Sequence, residues 1–119
     1  TFRIGGHLYS LLRALSGRRR YSTAYNQLLA HDLSVTFAGL DLHLSWWRQL
    51  DEVRQRVIAN MAFNMGVATL LAFKNTLAAV QRGAYDIAAA GMKASRWYSQ
   101  VGQRAVRLRS AMETGVMPA

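Results

Sequence analysis

The chain has 119 residues, no cysteine and a formal net charge of +9, from fifteen Lys and Arg against six Asp and Glu. These totals bound it to one domain of at most two lobes, large enough to bury a core, and exclude disulfides and thiolate metal centres. With 51% hydrophobic and 18% charged residues it reads as folded, and the positive excess favours anionic partners (cell-wall polymers, anionic membrane or nucleic acid) without choosing among them.

Thr1 to Ser10 lacks a charged start followed by an apolar core, so no signal peptide is expected. Thr1 to Gly6 leans towards β structure and ends in Gly-Gly, as the remnant of a strand and turn would. Tyr9 to Leu15 is apolar enough for a short helix. Ser16-Gly17 breaks it, and Arg18-Arg19-Arg20 then reads as a solvated cationic loop, because short charge runs usually are. With no nucleic-acid-binding motif beside it, no specific nucleic-acid partner is expected.

Ser22 can cap a long helix through its hydroxyl. Leu29, Leu33, Phe37, Leu40 and Leu44 recur at steps of four and three, which makes one apolar stripe. Gly39 within it weakens an isolated helix by roughly 1 kcal/mol relative to Ala. Ser45, Trp46 and Trp47 close the helix. Asp51 is the expected N-cap of the next, with Glu52 at its positive end. Val53, Val57, Ile58, Met61, Ala62 and Met65 cover more than one face, so this helix, about 51–65, belongs in the middle of a bundle. The longest uncharged stretch, Val57 to Phe73, is shorter than the roughly 20 residues that span a bilayer.

Short helices follow. One runs from Leu70 to Arg82, broken near Phe73 and ended by Gly83; one from an Asp86 cap to Lys93; a turn of helix covers Ser95 to Gln100; the last runs from Gln103 to Met112 and stops at Gly115. The fold class expected is mainly α, a bundle around a central buried helix. No internal repeat or low-complexity segment is present.

Asn60-Met61-x-Phe63-x-Met65-Gly66, then Phe73-x-Asn75, Ser95-Arg96-Trp97-Tyr98 and Arg104-Ala105 follow in an order that resembles the phage T4-type lysozymes, a glycoside hydrolase family of muramidases and endolysins. The likeness is strongest over residues 51–115. Gly6-His7-Leu8 looks like the end of that family's glycine-rich hairpin, and Asp32 like the acid early in its long connecting helix. The resemblance implies a lysozyme-like helical bundle with a reduced, β-containing N-terminal lobe at 1–21, the connecting helix at 22–45 and the helical lobe at 46–119.

The resemblance also implies chemistry. The family uses a Glu, an Asp and a Thr ahead of the glycine-rich turn. The Glu protonates the leaving sugar oxygen, and the Asp stabilises the cationic transition state or directs a water. Thr1 is the one candidate for the Thr, and the Glu and Asp would precede it. Leu8, Phe63, Thr76 and Gly91 fall at substrate-contact positions, although Gly91 has no side chain to make a contact. His7 would pair with Asp32, Asn64 and Trp97 would form a buried polar pair behind the cleft, and Arg104 would hold the catalytic Glu.

The function implied is hydrolysis of the bond between N-acetylmuramic acid and N-acetylglucosamine in peptidoglycan by a phage-encoded or engineered monomer acting on the bacterial cell wall, with no cofactor. A second reading stands beside it: a catalytically inert cationic domain that binds cell wall or anionic membrane. The chain's own acids read as caps and solvated residues rather than an internal catalytic pair. His7, His31 and His43 have no metal-ligand spacing, so no metal is expected.

Overall fold

A computed structural model describes the backbone of residues 23–117 and the side chains of residues 30–117. The expectations for Thr1, His7, Leu8, the 1–21 lobe, the Ser22 cap and the Leu29 side chain lie outside these residues. Among the described residues the chain forms seven α-helices: α1 (Thr23–His43), α2 (Glu52–Met65), α3 (Val67–Leu71), α4 (Lys74–Gln81), α5 (Tyr85–Lys93), α6 (Arg96–Val101) and α7 (Gln103–Thr114), with a 3-10 turn at Trp47–Gln49 between α1 and α2. The mainly α class and the lysozyme-like helical arrangement expected from the sequence are what is found.

The centre is α2. Asp51 caps it, its carboxylate accepting the Arg54 backbone N–H at 3.1 Å. Val57, Ile58, Ala59, Met61 and Ala62 are each at most 2% exposed. Asn60 is also buried, and its amide donates to the Arg56 carbonyl one turn back at 2.9 Å, which satisfies a donor that would otherwise oppose the burial. α1 lies against α2 through Leu33, Phe37, Leu40 and Leu44, the stripe read from the sequence. On the other side α7 presents Ala105, Leu108, Ala111 and Met112, and packs on both α2 and α5.

Gly39 proves to be a crossing point. A Cβ there would come 3.2 Å from Val67 Cγ2, so the absent side chain lets α1 approach α3 closely, and the loss of helix propensity has a packing counterpart.

Two helix starts differ from expectation. The helix before Phe73 begins at Val67 rather than Leu70, directly after Gly66 at φ +90°. Asp86 lies inside the first turn of α5 rather than capping it; Ala84 stands at the cap with no side-chain bond, and Asp86 contributes only its charge near the positive helix end. α4 ends as read: Gly83 at φ +80° lets its own N–H reach the Val80 carbonyl and the Ala84 N–H reach that of Ala79, a Schellman closure.

The turn between α1 and α2 is fastened by a residue the sequence reading left unassigned. Asp41 accepts from Trp47 Nε1 at 2.7 Å and from Arg48 Nε and Nη2 at 2.6 and 2.7 Å. Trp47 is wholly buried, its ring 5.7 Å from that of Phe37, so its indole N–H needs an acceptor inside the protein. The Arg48 hydrogen bond lowers the Asp41 pKa from its ordinary 3.8; desolvation opposes this, and the Trp47 bond adds to the lowering. A depressed carboxylate pKa gives stability that is present above the unfolded value and lost as pH falls through the folded one. Urea unfolding should therefore show the wild-type protein losing stability below about pH 3.8, whereas Asp41→Asn should be less stable at neutral pH and lose less on acidification.

Packing gives a second expectation. Leu40→Ala should cost about 2–5 kcal/mol as a cavity beside α2, against about 0.5 kcal/mol or less for Leu42→Ala on the exposed face of the same helix. Equal losses at the two positions would contradict the packing described.

Candidate functional site

The turn joining α3 to α4, the first turn of α4 and the end of α5 enclose an open groove of about 610 Å³. Phe73, Lys74, Asn75 and Thr76 form one wall, and Gly91, Ala94 and Ser95 the other. Phe73 breaks the helix here because its backbone (φ −79°, ψ 56°) leaves helical geometry. Thr76 and Gly91, the two polar-contact positions taken from the resemblance, thus come together in the lining of one groove. Their relation is steric: Thr76 Oγ1 occupies the space that a Cβ on Gly91 would fill.

Phe63 and Asn64 stand on the last turn of α2. Trp97, 7% exposed on α6, donates its indole N–H to Asn64 Oδ1 at 3.3 Å. The expected partners therefore meet, with one correction: Asn64 itself is exposed, so this is a buried indole bonded to a surface amide rather than a buried polar pair. The reason is position. Asn64 is the penultimate residue of α2, where the helix emerges from the core. Phe63 is half-buried and packs on the hydrophobic core.

Asp32 and Arg104 are exposed, on α1 and on the first turn of α7, and neither is among the groove residues. All six acids fall within the described residues. Asp41 pairs with Arg48, Asp51 with Arg54 at 3.1 Å, Glu52 with Arg56 at 2.7 Å and Glu113 with Arg109 at 3.3 Å. Asp32 and Asp86 are exposed, and none of the six lines the groove. The groove can thus hold a polar ligand through the Lys74, Asn75 and Thr76 side chains, whereas the Ser95 hydroxyl is engaged with the Met92 carbonyl and the Tyr98 N–H, and no carboxylate is presented for acid–base chemistry. Among the described residues no three His, Asp or Glu come together in a group fit for a metal, and no helix is long and apolar enough to cross a membrane.

Sequence reasoning missed Arg54. Its guanidinium lies 3.5 Å from the centre of the Tyr85 ring, donates to the Met112 and Glu113 carbonyls at 2.7 and 3.1 Å, and pairs with Asp51. One side chain thereby ties the start of α2 to the end of α7 and the start of α5. In the sequence it is one arginine among many near a helix start, and nothing local distinguishes it.

The fold and groove define a helical lobe with a ligand-sized cleft and no carboxylate pair of its own. No profile of a known protein family matches the chain. It is, however, 34% identical over 101 residues to the Probable T4-type lysozyme 1 of Dictyostelium discoideum, which covers 82% of this chain and 59% of that protein. It is 34% identical over 71 residues to the Probable T4-type lysozyme 2 of the same organism, covering 60% of this chain and 42% of the relative. It is also 35% identical over 69 residues to the Pre-baseplate central spike protein Gp5 of Enterobacteria phage T4, covering 58% of this chain and 12% of that one. The chain is thus similar to two proteins named T4-type lysozymes, and it spans little more than half the length of the first of them. Such relatives occur in Dictyostelium as well as in a phage, so the likeness does not by itself fix a phage origin.

The opposed Thr76 and Gly91 make a sharp test. Gly91→Ala should destabilise by about 1–3 kcal/mol through overpacking against Thr76. Adding Thr76→Ala should recover most of the loss, because the obstructing Oγ1 is gone; a double-mutant cycle by thermal or urea unfolding with no coupling would contradict the contact. Trp97→Phe should cost about 0.5–1.5 kcal/mol from the lost hydrogen bond alone, and Asn64→Ala in the Trp97→Phe background should add little.

Proposed function

We propose that the chain is the helical part of a lysozyme-type endolysin that hydrolyses the bond between N-acetylmuramic acid and N-acetylglucosamine in bacterial peptidoglycan. The observation that carries this is its likeness to two proteins named T4-type lysozymes, which in the first case extends over 82% of the chain. The groove at Thr76 and Gly91 supports it, being open and lined by both apolar groups (Ala72, Phe73, Ala94) and polar ones (Lys74, Asn75, Thr76), a mixture that suits a glycan. In this reading residues 1–21 contribute to a small N-terminal lobe, 22–45 connect it and 46–119 form the helical lobe.

Glycoside hydrolysis needs one protonated and one ionised carboxyl on opposite sides of the scissile bond. By the resemblance these fall ahead of Thr1, with Thr1 itself beside them, His7 and Asp32 joining the lobes, Leu8 and Phe63 lining the cleft, and Arg104 holding the acid. The part of the 119 residues is then to bind and brace. Asn75 and Thr76 offer hydrogen bonds along the groove, Gly91 lets the Thr76 side chain sit close against α5, and the Trp97–Asn64 bond fixes the end of α2 next to Phe63. The positive charge would concentrate the enzyme on the anionic wall.

The protein as its gene encodes it should clear a suspension of Gram-negative peptidoglycan and release reducing ends. Replacing Phe63 by Ala should lower that rate by about tenfold or more, the loss of a well-placed apolar contact. No release above a buffer control would sink the hydrolase.

A second reading is favoured by one specific observation: four of the six acids are taken up by Arg, and none lines the groove. The chain would then be an inert cationic domain that binds cell wall or anionic membrane, with exposed Lys93, Arg96, Arg104 and Arg107 as its contacts. Salt-sensitive pull-down on purified wall without release of reducing ends would favour it over the hydrolase.

A further inference from the structure

A second concavity lies at the opposite end of α4, a helix about 12 Å long. It is a groove of about 400 Å³ between the α1–α2 turn and the α4–α5 turn. Trp46, Gln49 and Leu50 form one side, and Gln81, Arg82 and Tyr85 the other, with Gly83 at the base of the turn. No acid lines it. Gln49, Gln81 and Arg82 are exposed, while Trp46 and Tyr85 are half-buried.

Both walls are held from behind. Trp47 is locked in the core by Asp41, which leaves its neighbour Trp46 at the surface. Gln55 Nε2 donates to the Arg48 and Leu50 carbonyls at 3.0 and 2.7 Å and so fixes the course of the turn. On the other wall the Schellman closure sets Gly83 and Ala84, and the Arg54 guanidinium covers one face of the Tyr85 ring. A site whose backbone is already fixed loses little conformational freedom on binding.

Aromatic rings, carboxamides and a guanidinium around one groove suit a particular chemistry. The apolar faces of sugar rings lie against aromatic side chains, carboxamides bond hydroxyl and acetamido groups, and a guanidinium pairs with a carboxylate. We propose that this groove is an accessory, non-catalytic site for an acidic N-acetylated glycan, a strand bearing both acetamido groups and carboxylates. The choice of a muramic-acid-containing strand as that glycan rests on the hydrolase reading; the site's chemistry does not. It would anchor the polymer at one end of the α4–α5 pair while the groove at Thr76 and Gly91 engages it at the other.

The test uses the whole protein and two soluble probes: an oligomer of alternating N-acetylglucosamine and N-acetylmuramic acid, and a chitin oligomer of equal length without carboxylates. Binding is read by calorimetry and by shifts of the Trp46 indole and the Gln49 and Gln81 side-chain amide signals in NMR. The acidic oligomer should shift these signals. Arg82→Ala should weaken its binding at this site by about tenfold, as expected for a lost charged hydrogen bond, and affect the chitin oligomer much less. Gln49→Ala should weaken both, and since Gln49 and Arg82 are exposed, both variants should fold as the wild type does by circular dichroism. Absence of shifts at these groups, or binding indifferent to both substitutions, would overturn the site. If the wall is cut while these changes have no effect, the accessory site fails and the hydrolase stands. If the oligomer binds through these residues and no wall is cut, the site stands and the hydrolase fails.

Discussion

The burial of α2 is the constraint from which the rest of the described structure follows. A helix apolar on nearly every side from Val57 to Ala62 must be surrounded, and α1, α3 and α7 do so from different directions. Its two ends are where polarity returns. At the start, Asp51 and Arg54 tie the helix to α7 and α5; at the finish, Asn64 emerges to meet the Trp97 indole. Gly66 then turns the chain into the short helices whose junctions form the groove. Function, on this account, is built at the margins of one buried rod: the rod carries Phe63 at its end, and α7, packed on it, supports the α4–α5 pair that bears Thr76 and Gly91.

Much of this was legible in the sequence because it depends on local pattern. The Leu33–Phe37–Leu40–Leu44 stripe is a helical period, the unbroken apolar run after Arg56 marks a central helix, and Asp51, Gly83 and Gly115 are terminal signals with local causes. What escaped depends on contacts across turns or between distant segments. Asp41 reaches Trp47 and Arg48 only because the chain folds back after His43. Arg54 meets the Met112 and Glu113 carbonyls across more than half of the described chain. Asp86 was misread as a cap because the Schellman closure of the preceding helix sets the turn by backbone bonds alone. Gly39 read as a weakness, since the side chain that it makes room for, Val67, lies on another helix.

The candidate site was legible by a different route. Composition and spacing alone name no cleft. The resemblance brought Thr76, Gly91, Asn64 and Trp97 forward, and the fold sets the first two on one groove and joins the last two by a hydrogen bond. The solvent exposure of Asn64 could not be read from its neighbours, since it depends on where α2 leaves the core. Leu8, His7 and Thr1 belong to residues outside those described. The acids divide more plainly: charges in a strongly cationic chain find Arg partners nearby, and Asp41, Asp51, Glu52 and Glu113 are accounted for in that way.

The account's central claim is that this helical lobe serves the cleavage of a muramyl glycosidic bond. The most direct measurement is the identity of the new reducing end after the gene-encoded protein digests purified peptidoglycan, fixed by borohydride reduction and read by mass spectrometry. Reduced muramic acid at the new ends is the expected result. Reduced N-acetylglucosamine, or no new ends at all, would contradict the claim.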